Sequence, residues 1–589
     1  MPTIPAEIEE TIPPPNFQSS FRLQVHNFNI SPSFSLCEGE FSLSVATMGY
    51  LGILEPKDKT YVPGTVLLDD TDVGSIDELR ALKHVKGRNG HIILNPQPND
   101  DPNNPLNFPQ SKKLVMLGIT SFGVILLGAT VGPLLNAGLV EIATELDTSV
   151  AKVVQASGYQ VLVVAGMVLI VNAFARKWGK RPMFLFSSLF GVIGSIIGST
   201  ADNYNGLLAA RIIQGLSVTA YESLALAMVG DLFFVHERGL YTALISFFLG
   251  AISNFSSVIC GPVAANLGWK YLFHLLIVFG GLQLILQFLF VPETQYNNPP
   301  ESQPSTANSI QPKSSQTPSE TVIEDIGTNQ QLKIPKASYI SSLRIYTGSY
   351  SDENFFILAL TPLLACTNLA VLWVILSSGY FLSIYVATAY VLSSIFSAPP
   401  YLLTASGVGY LSLGPFIGGL LASILAGLTN DPIARRCSRK NYGYFEPEYR
   451  LLIGVLSILT IPGFVGFGYA AGNGQSYYIT AFLHGLGLFG IMFQLVSTAN
   501  YALDSFREMS TEIFLCSMAV KNLILFGYSY FVNDWEARDG PLEVMWVFCA
   551  VSAVLYFTFP IMFIFGKRYR AFWGSSKIGQ KFISRGVIE

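Results

Sequence analysis

The sequence predicts an all-α polytopic membrane protein: twelve spanning helices arranged as two six-helix halves. Three observations carry that prediction. First, half of the 589 residues are hydrophobic, only 13% are charged and the mean hydropathy is +0.44, whereas soluble chains carry about 25% charged residues. So few charges cannot cover a water-facing surface. Second, the apolar stretches run to about 20 residues, the length that crosses a hydrocarbon core of ~30 Å as a helix. Third, a long polar segment divides these stretches six and six. The net charge of -4 and pI near 5.9 exclude the basic footprint that nucleic-acid binding needs. Cys37, Cys260, Cys366, Cys437, Cys516 and Cys549 lie far apart with no CxxC pair, which suggests neither a disulfide framework nor a zinc site; no metal or cofactor is expected.

The first six spans are placed at Leu114 to Asn136, Val150 to Ala173, Met183 to Thr200, Leu207 to Val229, Leu240 to Ala264 and Tyr271 to Val291. The second six are placed at Cys366 to Val386, Val408 to Leu428, Leu452 to Ala470, Ile479 to Tyr501, Ile513 to Phe531 and Glu543 to Phe565. The stretch from Val386 to Leu403 is also apolar and carries Pro399-Pro400, so the edges of the seventh and eighth spans stay open.

Orientation follows from lysines and arginines in short loops. Lys112 and Lys113 precede the first span, and Arg176, Lys177, Lys180 and Arg181 follow the second. Arg435, Arg436, Arg439, Lys440 and Arg450 follow the eighth, and Lys567, Arg568 and Arg570 the twelfth. The alternate connections (Asn203 to Asn205, Gly472 to Tyr478, Asp534 to Asp539 with a lone Arg538) are nearly free of positive charge. Only an even count of spans puts every basic cluster on one side, so both termini are expected in the cytosol. Trp178, Trp269, Trp535 and Trp573 fall at predicted span ends, where interfacial tryptophans belong.

Domain boundaries follow from composition. Residues 1–47 lack the basic start and apolar core of a signal peptide; they read as a gene-model extension, with translation beginning at Met48. Residues 48–113 read as a polar cytosolic tail, 114–291 as the first half, 292–350 as a cytosolic linker, 351–566 as the second half and 567–589 as a cytosolic tail. The linker text SQPSTANSIQPKSSQTPSE cannot build a core and is expected to be disordered in its middle. A basic loop follows the second span of each half, at Asn172 to Pro182 and at Gly427 to Arg450, as parallel repeats require.

The loop NAFARKWGKRP resembles the cytosolic signature of the major facilitator superfamily, GxxxDRxGRR/K. Gly179, Lys180 and Arg181 match its closing glycine and basic pair, Lys177 takes the preceding basic position, and Arg176 stands where the family has an acid. In the second half Gly427 and Asp431 keep the GxxxD part. LAARIIQG, with Arg211, Gln214 and Gly215, resembles the family's RxxQG, and Gly261-Pro262 of CGPVAANLG resembles the start of the antiporter signature GPxxGG. DPNNPLNF, VPETQY, YTGSYSDENF, YGYFEPEYRL and NLILFGYSYFVNDW resemble fungal members of the twelve-span drug:proton antiporter family, in the branch with polyamine and cation carriers and metabolite-cluster transporters. The resemblance runs from about Pro102 to Arg570. It implies the major facilitator fold and alternating access.

It also implies roles for particular residues. Arg176, Lys177, Gly179, Lys180, Arg181, Gly427, Asp431, Arg435 and Arg436, with Asp231, Glu237 and Arg238 as partners of the 176–181 loop, are expected to form a cytosolic charged latch. Gly261 and Pro262 are expected to kink the fifth helix. Ionisable groups inside hydrocarbon are costly and face a cavity or a partner, so Glu222 is the candidate proton or cation site, with Arg211, Gln214, Gln160 and Lys521 as candidate substrate or proton residues. Arg211 and Glu222 are eleven residues apart, about 16 Å along one helix face. Lys521 reads first as a lysine snorkelling to the interface, with pairing to Glu222 or to an anionic cargo as the alternative. His484, Tyr380 and Tyr385 read as packing residues.

The expected function is proton-coupled transport of a small organic molecule, outward, across the plasma membrane, with lipid, cargo and protons as the only partners. Uptake of a cationic nutrient such as a polyamine is the alternative, and a non-transporting sensor on the same fold is the reading from another class. No P-loop, HExxH or GxSxG is present, so neither ATP-driven pumping nor a familiar membrane enzyme is expected. PETQY in place of PESPR disfavours a sugar facilitator.

Overall fold

The computed structural model describes residues 48–56, 62–67, 84–87, 90–93, 101–250, 252–296, 338–577 and 579–580. The expectations for residues 1–47, for the middle of the linker and for the last nine residues lie outside the described residues. Among those described, eleven helices are long and apolar enough to cross a membrane, and a bent pair supplies a twelfth.

The first half holds α1 (Gln110–Thr130), α2 (Val150–Trp178), α3 (Arg181–Ser199), α4 (Tyr204–Leu232), α5 (Val235–Gly250 with Ile252–Leu267) and α6 (Lys270–Phe290). The second half holds α7 (Leu369–Ser397), α8 (Ala405–Lys440), α9 (Pro447–Gly472), α10 (Tyr477–Ser505), α11 (Ser510–Asp539) and α12 (Pro541–Ser575). The even count expected from the charge pattern is met. The open edge between the seventh and eighth spans resolves into one 29-residue α7 that runs through Val386 to Ser397, before the Pro399-Pro400 turn. Short helices at Tyr339–Ser342 and Phe355–Ala365 lead from the linker into α7.

Side-chain caps set several starts. Ser149 accepts from the Lys152 N–H, Asn203 from Gly206 and Asn368 from Ala370 and Val371, satisfying amide groups that a helix leaves unpaired. α1 changes winding from α to π over Val124–Thr130, where the Thr130 hydroxyl bonds the Ile125 carbonyl five residues back. α4 is interrupted at Leu224, directly after Glu222 and Ser223.

The helices turn large apolar side chains outward. Val278 and Ile285 on α6, and Val554, Phe557 and Ile561 on α12, are more than half exposed. Continuous apolar stripes of this kind are stable only against lipid. The interior between α3, α4 and α6 is polar instead: the Tyr221 hydroxyl lies 2.6 Å from Ser188 and accepts from Gln283, which also donates to Gln287.

The halves meet along α2 and α11 and, at the end away from the basic loops, along α5 and α8. Glycines permit the second contact. A Cβ on Gly261 would lie 2.5 Å from the Ala405 carbonyl, and one on Gly409 would lie 2.5 Å from that of Ser257. The kink expected at Gly261-Pro262 is elsewhere. Ile252–Leu267 runs helically through Pro262, and the 43° bend falls at its junction with Leu244–Gly250. Gly261 works by close approach.

Part of the polar tail before α1 packs on the second half. β1 (Val66–Leu67) pairs antiparallel with β4 (Tyr444–Phe445) of the α8–α9 connection, while β2 (His84–Gly87) and β3 (Gly90–Ile93) form a hairpin between them in sequence. The Leu54 N–H donates to the Ile564 carbonyl of α12 at 2.9 Å.

Candidate functional site

Two groups of residues carry the chemistry: ionisable side chains inside the spans, and charged side chains at the basic ends of the helices.

Inside the spans, Glu222 of α4 and Lys521 of α11 form an ion pair that joins the two halves, each side chain nearly buried. Each sits ten or eleven residues from the basic end of its helix, about 16 Å deep. Lys521 therefore does not snorkel to the interface as the sequence first suggested. A partner inside the bundle compensates its charge, and pairing at that depth avoids the cost of an isolated charge in hydrocarbon.

Arg211 is fully buried, eleven residues nearer the opposite end of α4, and does not reach Glu222. Its Nη1 donates to the Val131 carbonyl at 2.8 Å and to Gln214 Oε1 at 3.1 Å; its Nη2 donates to the Gly132 carbonyl at 3.0 Å and to Ser157 Oγ at 3.1 Å. Those carbonyls are orphaned where α1 unwinds after its π turn, so Arg211 caps α1 and ties it to α2 and α4. Gln214 passes the chain on, donating to Ser195 of α3 at 3.2 Å. Gln160 is buried in α2 with its Oε1 unpartnered, and its backbone carbonyl would lie 2.7 Å from a Cβ on Gly215. The site residues thus separate into a structural staple (Arg211, Gln214) and a pair spanning the halves (Glu222, Lys521).

At the basic face, Lys180 pairs with Asp231 at the end of α4 at 2.5 Å. Arg176 pairs with Glu512 of α11 at 3.1 Å, a carboxylate from the other half where the family pattern has its own acid in the loop. Lys177 donates to the Glu353 carbonyl at 2.9 Å and accepts at its own carbonyl from the Tyr350 N–H, while Trp178 stacks on Phe355. The YTGSYSDENF segment therefore packs beneath the end of α2. Arg181 is buried and donates to the carbonyls of Phe288 (2.7 Å), Leu343 (3.2 Å) and Val291.

One acid here escaped the sequence reading. Glu293, in VPETQY after α6, accepts from the Lys180 N–H at 2.9 Å and the Arg181 N–H at 3.1 Å, capping α3. Burial pushes its carboxyl above the usual range, against the pull of backbone N–H donors. Gly179 makes room: its φ is +97°, and a Cβ there would lie 2.1 Å from Glu293 Oε2. The string was visible in the sequence, but nothing in it said that the end of α6 returns to the start of α3.

In the second half Asp431 pairs with Arg450 at 2.5 Å, and Arg450 also pairs with Asp504 at the end of α10 at 2.8 Å. Arg435 and Arg436, expected in that latch, are exposed and have no ion-pair partner among the described residues; Arg450 takes the role because the start of α9, not the end of α8, faces Asp504. Nothing lies within 4 Å of a Cβ built on Gly427. The side chains of Glu237 and Arg238 lie outside the described residues. Arg570 is fully buried between Glu446 and Glu448, Lys567 joins Glu446 and Glu55, and Thr65 donates to Glu446. His484 packs against the rings of Tyr385, Phe464 and Phe467, and Tyr380 donates to the Phe548 carbonyl, both structural placements.

Two six-helix halves, joined by an ion pair within the spans and carrying charged loops on one face, define a two-lobed membrane carrier. Residues 115–520 match the Major Facilitator Superfamily. The chain belongs to that superfamily, a multi-pass membrane family of transporters rather than enzymes. It is similar to Protein HOL1 of Saccharomyces cerevisiae, 21% identical with 87% of this chain and 95% of that protein covered. It is also similar to the MFS-type efflux pump MFS2 of Trichophyton rubrum, 24% identical with 80% and 75% covered. Among solved structures, the xylose transporter XylE from E. coli in a partially occluded inward open conformation has the same fold, with a TM-score of 0.51, 15% identity, and 76% of this chain and 97% of that one covered.

Proposed function

We propose that the protein is a proton-coupled antiporter that moves a small organic molecule out of the cell across the plasma membrane, with both termini in the cytosol. The observation that carries this reading is the Glu222–Lys521 ion pair joining α4 to α11. Protonating Glu222 removes the attraction that holds the two halves at that depth, and deprotonation restores it. A proton taken on one side and released on the other thereby biases the rocking of the halves. The basic-face contacts of Lys180 with Asp231, Arg176 with Glu512, and Arg450 with Asp431 and Asp504 act as the latch that must open and re-form in each cycle. The close approach of Gly261 and Gly409 brings the halves together at the opposite end, a second contact that the cycle must open. The efflux pumps among the relatives favour the outward direction. Uptake of a cation such as a polyamine on Glu222 is less well supported, since Lys521 already engages that carboxylate.

The test is Glu222→Gln in the full chain, reconstituted with an imposed pH gradient. Gradient-driven transport is expected to fall to background while yield and targeting hold, with a lower thermal midpoint because Lys521 loses its partner; Glu222→Gln/Lys521→Gln is expected to regain the midpoint without regaining gradient-driven transport. Undiminished gradient-driven flux in that variant would remove Glu222 from the mechanism.

A further inference from the structure

Two clusters of basic side chains lie on the same face of the second half, and their surroundings differ. Lys567 and Arg570 at the end of α12 are neutralised by Glu55, Glu446 and Glu448. Arg435, Arg436, Arg439 and Lys440 at the end of α8 are all exposed, and none has an ion-pair partner among the described residues. The nearby acid, Asp431, is engaged by Arg450. Four adjacent cations with no carboxylate partner among the described residues repel one another, and an external anion would relieve that repulsion.

The helical register says where that anion lies. Ile417, Leu421, Ile424 and Leu428 are 51%, 49%, 51% and 68% exposed and recur at spacings of four, three and four, so they form one outward stripe of α8. Continuing it by three, four and four residues reaches Asp431, whose carboxylate Arg450 engages, then Arg435 and Arg439. The opposite side of the same turns is covered: Ala434 and Cys437 pack with Ile53, Phe445 and Tyr449. Arg436 and Lys440 flank the stripe on the side of Leu425, which is 43% exposed. α8 is 36 residues long, about 54 Å, and so outruns the ~30 Å core. Arg435 lies about 10 Å beyond Leu428, the last residue of the apolar stripe. The lipid-facing stripe therefore ends in two guanidinium groups at headgroup depth, aimed toward the bilayer.

We infer that Arg435 and Arg439, assisted by Arg436 and Lys440, form a binding site for the headgroup of an anionic phospholipid of the inner leaflet. Guanidinium groups pair well with phosphate and carboxylate oxygens, and acyl chains of the same lipid would lie along Ile417 to Leu428. Because α8 contacts α5 across the halves, an occupied site holds α8 upright at its basic end while its other end packs on Gly261.

The test uses the full-length protein in nanodiscs of phosphatidylcholine alone or mixed with phosphatidylserine, with retained lipid counted by native mass spectrometry. Wild type is expected to retain phosphatidylserine over phosphatidylcholine, R435Q/R439Q to lose that preference by on the order of ten-fold, and R436Q/K440Q to keep most of it. All three are expected to share one thermal midpoint in phosphatidylcholine, since the substituted side chains are exposed. No preference in wild type, or an equal loss in both double variants, overturns the site. Displacement of phosphatidylserine by millimolar inorganic phosphate would also overturn it, by showing a free-anion site. None of these outcomes depends on Glu222 or on transport, so the lipid site and the antiport reading fail separately.

Discussion

Both halves tie the start of their third helix to the end of their sixth, but with opposite polarity. In the first half the cations belong to the third helix (Lys180, Arg181) and the acid, Glu293, follows the sixth. In the second half the acids precede and open the third helix of the repeat (Glu446, Glu448), and the cations, Lys567 and Arg570, lie on the sixth. In each case a carboxylate ends up at a helix N-terminus, where unpaired N–H groups and the dipole favour it. The repeat conserves an electrostatic joint rather than a set of positions. The joints differ in their partners: the second half sets two carboxylates against a buried arginine and adds contacts from residues 48–56 and 62–67, whereas the first relies on backbone carbonyls and N–H groups.

That difference predicts an ordering of damage. Arg570→Ala leaves Glu446 and Glu448 without their main counter-charge in a dry site and is expected to cost about 3–5 kcal/mol, read as thermal unfolding in detergent. Arg181→Ala strands carbonyls and removes a cation near Glu293, whose backbone N–H donors remain, and should cost about 1–3 kcal/mol; equal losses would show that the two joints are energetically alike.

Glycines sharpen the same contrast. Gly179→Ala meets both a positive φ and the Glu293 carboxylate and is expected to destabilise by about 1–3 kcal/mol. Gly427→Ala, in open space on a helix, should be neutral or stabilising by up to about 1 kcal/mol. A thermal-midpoint comparison of the two variants decides it, and matching shifts would end the asymmetry.

The smallest expected effect concerns pH. Burial raises the Glu293 carboxyl in the folded protein above its usual 4.5, so the fold prefers its protonated form. Its contribution is complete below the unfolded value and is lost as pH rises through the folded one. Glu293→Gln should flatten the part of the stability profile that falls as pH rises above 4.5; an unchanged profile would mean that another group sets it.

Much of the architecture was legible because lipid imposes a one-dimensional rule: apolar length makes spans, and basic loops sort them onto one face. The count of twelve and the division into halves follow from it. The site was legible only as a set of unusual residues. Glu222 and Lys521 stood out because charge is costly in hydrocarbon, yet their partnership depends on how α4 and α11 face each other across the halves. Arg435 and Arg436 were read with the latch because sequence proximity to Asp431 cannot reveal that Arg450, nineteen residues on, reaches it first.

What the sequence determined by itself is the solvent of each segment, since transfer free energy belongs to the residues and needs no partners. What only tertiary structure decided is which charges are compensated. Coulombic pairing falls off over a few ångströms and depends on side chains brought together from distant parts of the chain. That is why Glu293 became a cap, Arg211 a staple and Arg570 the centre of a buried joint, while four cations at the end of α8 were left exposed with no ion-pair partner among the described residues.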